Sequence, residues 1–336
     1  MSAALVEVPP MPPEVERALR DAFGEQPLEG MTVLRGGRSG STLLSFDVAG
    51  RGYVLRRGNS ILPGYDARSA RELACMTIGS DRGIAPKLRH VDGAGGVWIM
   101  DRILHAPAPR SPARTARVAH AVRRLHEGPA FPRGGGALGF VQRLDAYLRS
   151  LGRVGLPVEL LRTIEELTMR TARFAESAPC HNDLNPGNIL ETADAVYFVD
   201  WETACQGDPF LDLALLGVFA FPTPEGRAEL LEAYLGRAPS GEESARATIA
   251  RVTALGYYGA AFVAAMVAGG GPPWPSVAAV PVPDALELLR TQRERAPAEL
   301  VAASLLGEMS RAMEADAYEA AKRVLERDVG GSVVES

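Results

Sequence analysis

The sequence predicts an α+β fold in two lobes, a small β-rich one followed by a larger, mainly helical one. Three observations predict it. Apolar residues alternate through residues 31–58 and dominate 98–100, as in half-buried and buried strands. Beyond residue 104 the apolar positions recur at three- and four-residue spacing, the period of a helix face. Between the two regimes lies a Pro-rich connection, HAPAPRSPAR, which starts at residue 105. The predicted lobes are therefore 1–103 and 104–336.

Each element has its own signal. Residues 1–30 read as a loose end and a short helix with Val15, Leu19 and Phe23 on one face. Two strands then flank the loop Gly36-Gly37-Arg38-Ser39-Gly40-Ser41-Thr42. Ala49-Gly50-Arg51-Gly52 makes the next turn, and 53–56 is a third strand. Alternation puts Tyr53 and Leu55 on one face of it, Val54 and Arg56 on the other. A helix over 66–78 carries Arg71 and Glu72, and 98–100 is a strand. In the second lobe Val118, Val122 and Leu125 mark one helix, and Ile164, Leu167 and Phe174 another. The stretches 128–139 and 269–283 are Gly/Pro-rich loops. The longest apolar run, 254–268, falls short of the ~20 residues a membrane span needs and reads as a buried helix.

Composition excludes several classes. The 336 residues are 46% hydrophobic and 23% charged, an ordinary globular balance. A net charge of −5 provides no basic footprint for nucleic acid or for an anionic membrane. The three cysteines are odd in number and match no metal or disulfide spacing, so they read as free thiols in the cytoplasm. The first twenty residues lack the basic start and apolar core of a signal peptide.

Chemistry concentrates in CHNDLNPGNILETADAVYFVDWE, residues 180–202. His181, Asp183 and Asn188 are spaced H-x-D-x-x-x-x-N, and a predicted strand over 196–199 leads to Asp200. That spacing fits phosphoryl transfer, where protein groups mainly position the reactants and neutralise charge. One carboxylate accepts the proton of the attacking hydroxyl, and a second carboxylate with an amide oxygen holds Mg²⁺, which prefers hard oxygen ligands. Asn185-Pro186-Gly187 is a turn signal whatever the chemistry. The loop at 36–42 could cradle phosphates with its backbone N–H groups or be a plain hairpin.

HNDLNPGNIL at 181–190, VDWE at 199–202 and GDPFLDLA at 207–214 together resemble the aminoglycoside phosphotransferase and choline kinase superfamily, over about residues 31–220. The resemblance implies a bilobal protein-kinase-like fold and an Mg-ATP-dependent kinase of a small molecule. It implies Asp183 as catalytic base, Asn188 and Asp200 as ligands of Mg²⁺, and His181, Asp208 and Asp212 as structural supports. On the ATP side it implies a basic residue, Arg56 or the adjacent Arg57, placed by Glu72. Gly37, Ser39, Gly40 and Ser41 would cover the phosphates, and the backbone of Asp101 and Ile103 would meet the adenine, with Met100 behind it. Asn185 in place of the protein-kinase Lys, and Trp-Glu after Asp200, argue against a protein substrate.

RELACMTIGSDRGIAPKL at 71–88 leans toward the choline/ethanolamine-kinase-like branch, which holds an ammonium against rings and a carboxylate. Trp201, Tyr257, Tyr258, Phe262 and Trp274 are the candidate rings and Glu202 the carboxylate. Thr203 departs from that branch, where Tyr is frequent. Two alternatives stay open. An aminoglycoside or other antibiotic kinase would use acidic residues such as Glu225, Glu229, Glu232 and Asp284. A nucleotide-binding pseudokinase would bind ATP without transferring phosphate.

Overall fold

In the computed structural model, residues 11–34, 41–58, 65–92, 96–106, 111–172, 177–291 and 298–330 are described. Gly37, Ser39, Gly40 and Phe174 lie outside them. The chain divides into two compact units, Met1–Ala108 with Ile189–Glu202, and Pro109–Asn188 with Thr203–Ser336.

The first unit opens with α1 (Pro13–Phe23), β1 (Glu29–Leu34), β2 (Thr42–Val48), β3 (Arg51–Arg57), α2 (Tyr65–Asp81), β4 (Leu88–Asp92) and β5 (Val97–Asp101). The second unit takes over with α3 (Pro112–His126), α4 (Gly136–Ser150), α5 (Val158–Ala172) and β6 (Ala178–Cys180). The hairpin β7 (Ile189–Glu191) and β8 (Val196–Phe198) belongs to the first unit again. The second unit resumes with β9 (Cys205–Gly207), α6 (Pro209–Ala220), α7 (Pro224–Leu235), α8 (Gly241–Ala268), α9 (Val282–Thr291), α10 (Ala298–Glu314) and α11 (Asp316–Gly330).

In the first unit an antiparallel sheet has the order β1-β2-β3-β5-β4. Its register aligns Leu44 with Leu55 and Leu55 with Ile99, so alternate positions build one apolar face. Val15, Ala18 and Leu19 of α1 join that face, together with Phe46 and Tyr53. One residue along, the register aligns Leu43, Arg56 and Trp98 on the opposite face. The pleat thus turns Arg56 away from the α1 core.

The sequence grouped 189–202 with the helical part, whereas the structure groups these residues with the sheet. Local bonds explain the difference. The Phe198 N–H donates to the Ile84 carbonyl (2.7 Å), and the Ala106 N–H to the Glu191 carbonyl (3.4 Å). Gly79 of α2 admits the Trp201 ring, since a Cβ there would fall 2.8 Å from Trp201 Cζ2.

In the second unit α8 is the central helix, packed by α4, α5, α6, α10 and α11. It runs 28 residues, well beyond the apolar stretch read from sequence, and is long and apolar enough to cross a membrane. Protein covers 83% of its most apolar window, so its apolarity serves the core. Its glycines permit the close approach of α10: a Cβ at Gly259 would lie 2.5 Å from Leu306 Cδ2. The N-terminus of α8 is closed by a capping box of Ser240 and Glu243.

Candidate active site

The loop after β6 belongs to the second unit and is fastened from below by Asp212 of α6. Asp212 is fully buried. Its Oδ2 accepts from the His181 N–H (2.7 Å) and its Oδ1 from the Asn182 N–H (2.6 Å). A third partner is His126 of α3, whose Nε2 lies 3.2 Å from Asp212 Oδ2, while its Nδ1 meets the Tyr234 hydroxyl (2.9 Å). These bonds hold Asn182 at φ 61°, a left-handed conformation that Asn tolerates better than most residues. The Asn182 carbonyl accepts from the Tyr257 hydroxyl (3.1 Å), and its side chain donates to the Thr203 carbonyl (3.3 Å).

Asp208 caps α6. Its Oδ1 accepts from the Phe210 N–H (3.0 Å) and from Arg246 (3.3 Å), whose guanidinium lies over the Phe210 ring. Burial pushes the Asp208 carboxyl up from its ordinary range, and Arg246 opposes that rise. His126, Cys180 and Asp212 bring possible ligand atoms within 4.8 Å of one another. Burial keeps the Cys180 thiol protonated, and Asp212 already accepts three bonds, so this cluster is a brace and not a metal centre.

Above the brace, Asp183 is presented with its carboxylate oriented from three directions. Its Oδ1 accepts from the Tyr258 hydroxyl (3.2 Å) and from Asn185 Nδ2 (3.1 Å). Its Oδ2 accepts from Asn188 Nδ2 (2.9 Å). Asn185 also accepts the Gly187 N–H (2.8 Å), closing an Asx turn that leads into the 3₁₀ turn at Pro186–Asn188. Burial, and then the Asp183 charge, hold the Tyr258 phenol well above its ordinary pKa, so it acts only as a donor to this carboxylate. Asn188 spends its amide nitrogen on Asp183, leaving its amide oxygen as the acceptor it can offer a cation.

The residues expected on the phosphate side lie in the first unit. Arg56 pairs with Glu72 (2.8 Å), and both side chains are buried. The guanidinium sits 4.8 Å from the centroid of the Trp98 ring, its cross-strand neighbour. Arg57 turns the other way and pairs with Glu14 of α1 (2.8 Å), so the two adjacent arginines are separated by their partners. The Glu72 carboxyl is pushed up to about 7 by burial, against the lowering effect of Arg56 and with help from the Asp200 charge.

Asp200 has φ 64°, which is strained for a non-glycine residue. Its Oδ1 is buried and finds no hydrogen-bond donor among the described residues. An orphaned, buried carboxylate oxygen is costly unless a cation takes it. A carboxylate oxygen is a hard donor of the kind Mg²⁺ prefers, so the chemistry of Asp200 fits the expected metal ligand.

The other candidates divide. The Asp101 carboxylate is bound by Arg89 through both oxygens (2.6 and 2.7 Å), while its backbone N–H donates to the Lys87 carbonyl (3.0 Å) and the Arg102 N–H to the Gly52 carbonyl (2.9 Å). Ser41 immediately precedes β2. The Glu202 carbonyl accepts from Arg71 (2.8 Å). Trp201 is corrected from a candidate ring to a core anchor: it is 1% exposed, and its Nε1 donates to the Phe198 carbonyl (3.0 Å). Tyr257 and Phe262 are likewise buried in the helical core. Trp274 is exposed and lies along a groove with Val154, Leu156 and Pro157. Glu225, Glu229, Glu232 and Asp284 are exposed.

Sequence reasoning missed His126, Tyr234, Arg246 and Trp98. Their contacts span long sequence separations or cross strands, and no local spacing announces them. Tyr258 was singled out as a ring, but it is its hydroxyl that the structure brings to Asp183.

Residues 30–279 match the family model described as "Phosphotransferase enzyme family". Among solved structures, the chain is similar to a choline/ethanolamine kinase family protein from Mesorhizobium loti, at 23% identity, with 93% of this chain and 98% of that one covered and a TM-score of 0.61. It is also similar to the choline kinase LicA from Streptococcus pneumoniae, at 14% identity, covering 89% and 98%, with a TM-score of 0.62. A thiamine kinase from Shigella boydii is 30% identical over 115 residues, 34% of this chain and 40% of that protein. The match spans only between 16% and 40% of the length of such curated relatives.

Proposed function

The chain belongs to the phosphotransferase enzyme family, and we propose that it transfers the γ-phosphoryl group of Mg-ATP to a hydroxyl of a small organic cation. The observation that carries this reading is the Asp183 carboxylate, held by Tyr258, Asn185 and Asn188. A carboxylate fixed by three donors is an oriented proton acceptor, a role that contributes roughly 10²–10⁴-fold in rate.

Asp183 aligns the acceptor hydroxyl and takes its proton as the oxygen attacks. Arg56, steadied by Glu72 and Trp98, offers the nucleotide phosphates a planar fork, which matches phosphate better than a point charge does. Asp200 and the Asn188 amide oxygen are the residues that would hold Mg²⁺, which when bound neutralises charge on the phosphates. Ser41 and the backbone at Asp101 and Ile103 complete the proposed nucleotide contacts. A solved complex of LicA with AMP, in a chain of the same fold, supports a nucleotide on this scaffold.

The acceptor class rests on the relatives' names. Choline and thiamine are both small primary alcohols with a permanent positive charge. Glu202 and Tyr258 remain the proposed acceptor-side residues, with Trp274 as the exposed ring. The three cysteines, all buried, suit the cytoplasm.

ATP consumption with choline, ethanolamine, thiamine and a set of aminoglycosides tests the proposal. Turnover is expected on an amino alcohol or thiamine, and turnover confined to antibiotics would overturn the acceptor class. Asp183→Ala is expected to lose transfer by at least about 10²-fold while ATP still binds. Near-normal turnover in that variant would remove Asp183 as the base.

A further inference from the structure

A cavity of about 380 Å³ lies wholly within the second unit, lined by residues of α6, α8, α9 and α10 and by Arg227 of α7. Its walls are apolar, with Leu255 and Val282 among them, but three arginines enter it against one carboxylate. Glu308 serves two of them, accepting from Arg251 (2.5 Å) and Arg311 (2.9 Å). Arg227 has no carboxylate at ion-pair distance among the described residues, and its Nη1 donates to the Pro222 carbonyl (2.5 Å). Burial, followed by the like charge of Arg251, lowers the Arg227 guanidinium to about 10, and it stays charged at neutral pH. Glu308 and Glu225 act on this charge only from beyond contact distance, and a half-buried guanidinium without a direct carboxylate partner is relieved by an anion.

We infer that this cavity is a second small-molecule site, which takes a compact organic acid: its carboxylate on Arg227 and Arg251, its branched apolar body against Leu255 and Val282. The volume falls in the range of small-ligand pockets, and the arginine fork matches a carboxylate bidentately. None of the lining residues belongs to the phosphoryl-transfer set. The site lies along α8 from Tyr258: Arg251 is seven residues, or roughly 10 Å of helix, from the tyrosine that holds Asp183.

Isothermal titration of the full chain with 3-methylbutanoate tests this, beside the uncharged isostere 3-methylbutanamide and inorganic phosphate. One saturable site for 3-methylbutanoate is expected, with the amide about tenfold weaker or worse. Arg227→Gln should weaken the carboxylate by about tenfold and Arg227→Lys by less. Asp183→Ala should leave the titration unchanged. Arg311→Gln is a second probe, since that side chain is 56% exposed and little of the fold depends on it. It should weaken binding while the circular dichroism spectrum is retained. Equal binding of the amide, phosphate binding as tightly as 3-methylbutanoate, titration unaffected by both arginine variants, or no saturable binding would each overturn the assignment.

Discussion

At the scale of single residues, the two carboxylates that matter most are opposites in their surroundings. Asp183 is surrounded by donors, whereas Glu72 is buried with one arginine and with the charge of Asp200 nearby. Glu72 ordinarily titrates near 4.5 and is pushed up to about 7. For an acid whose folded pKa is raised, the stabilising contribution of the protonated form is whole below about 4.5 and is lost as pH rises toward about 7. Ionisation therefore costs stability but creates the charge that steadies Arg56. An acid limb near pH 7 is expected in kcat/KM for ATP, which reports the free enzyme. Glu72→Gln should flatten that limb and remove the stability change between pH 5 and pH 7. A limb that persists near pH 7 in the variant would assign it to another group.

At the scale of elements, the site depends on how closely helices approach what they brace. Gly79 illustrates this, because alanine is normally the better helix former by about 1 kcal/mol. Here a Cβ would fall 2.8 Å from Trp201 Cζ2 and 3.2 Å from the Ala85 Cβ. Trp201 follows Asp200 directly, so the ring anchors the backbone next to its left-handed turn. Gly79→Ala is expected to destabilise by about 1–3 kcal/mol, seen as a lower melting temperature, and to lower turnover without touching a ligand. A variant with unchanged melting and unchanged turnover would show that Trp201 can shift freely. In the second unit α6 does comparable work: one buried side chain, Asp212, bonds the consecutive backbone N–H groups of His181 and Asn182.

At the scale of the whole molecule, the residues proposed for phosphoryl transfer are distributed, with Asp183 and Asn188 in one compact unit and Arg56, Glu72 and Asp200 in the other. A ligand that binds only the folded protein stabilises it by mass action, about 2.7 kcal/mol at a hundred times its Kd. Mg-ATP is expected to raise the unfolding temperature by several degrees, and ATP with EDTA by less. Asp200→Asn should bring the Mg-ATP shift down to the ATP-with-EDTA value. If the variant keeps the full metal-dependent shift, Asp200 is not the metal carboxylate.

The sequence by itself determined the β-rich and helical regions, because strand and helix periods are local properties of the chain. It also determined the phosphotransferase motifs, because H-x-D-x-x-x-x-N and the carboxylate after the next strand are contiguous and ordered. Tertiary structure alone decided that Arg56 and not Arg57 meets Glu72, since the pleat sends neighbouring side chains to opposite faces. It alone returned 189–202 to the sheet-bearing unit, through backbone bonds to residues more than eighty positions away. Trp201 became a core anchor because helix α2 leaves it a gap at Gly79. Tyr258 came to Asp183 from a distant helix, as His126 came to Asp212 and Tyr234 to His126. Such contacts depend on which faces pack together, and that information is not contained in any one stretch of the chain.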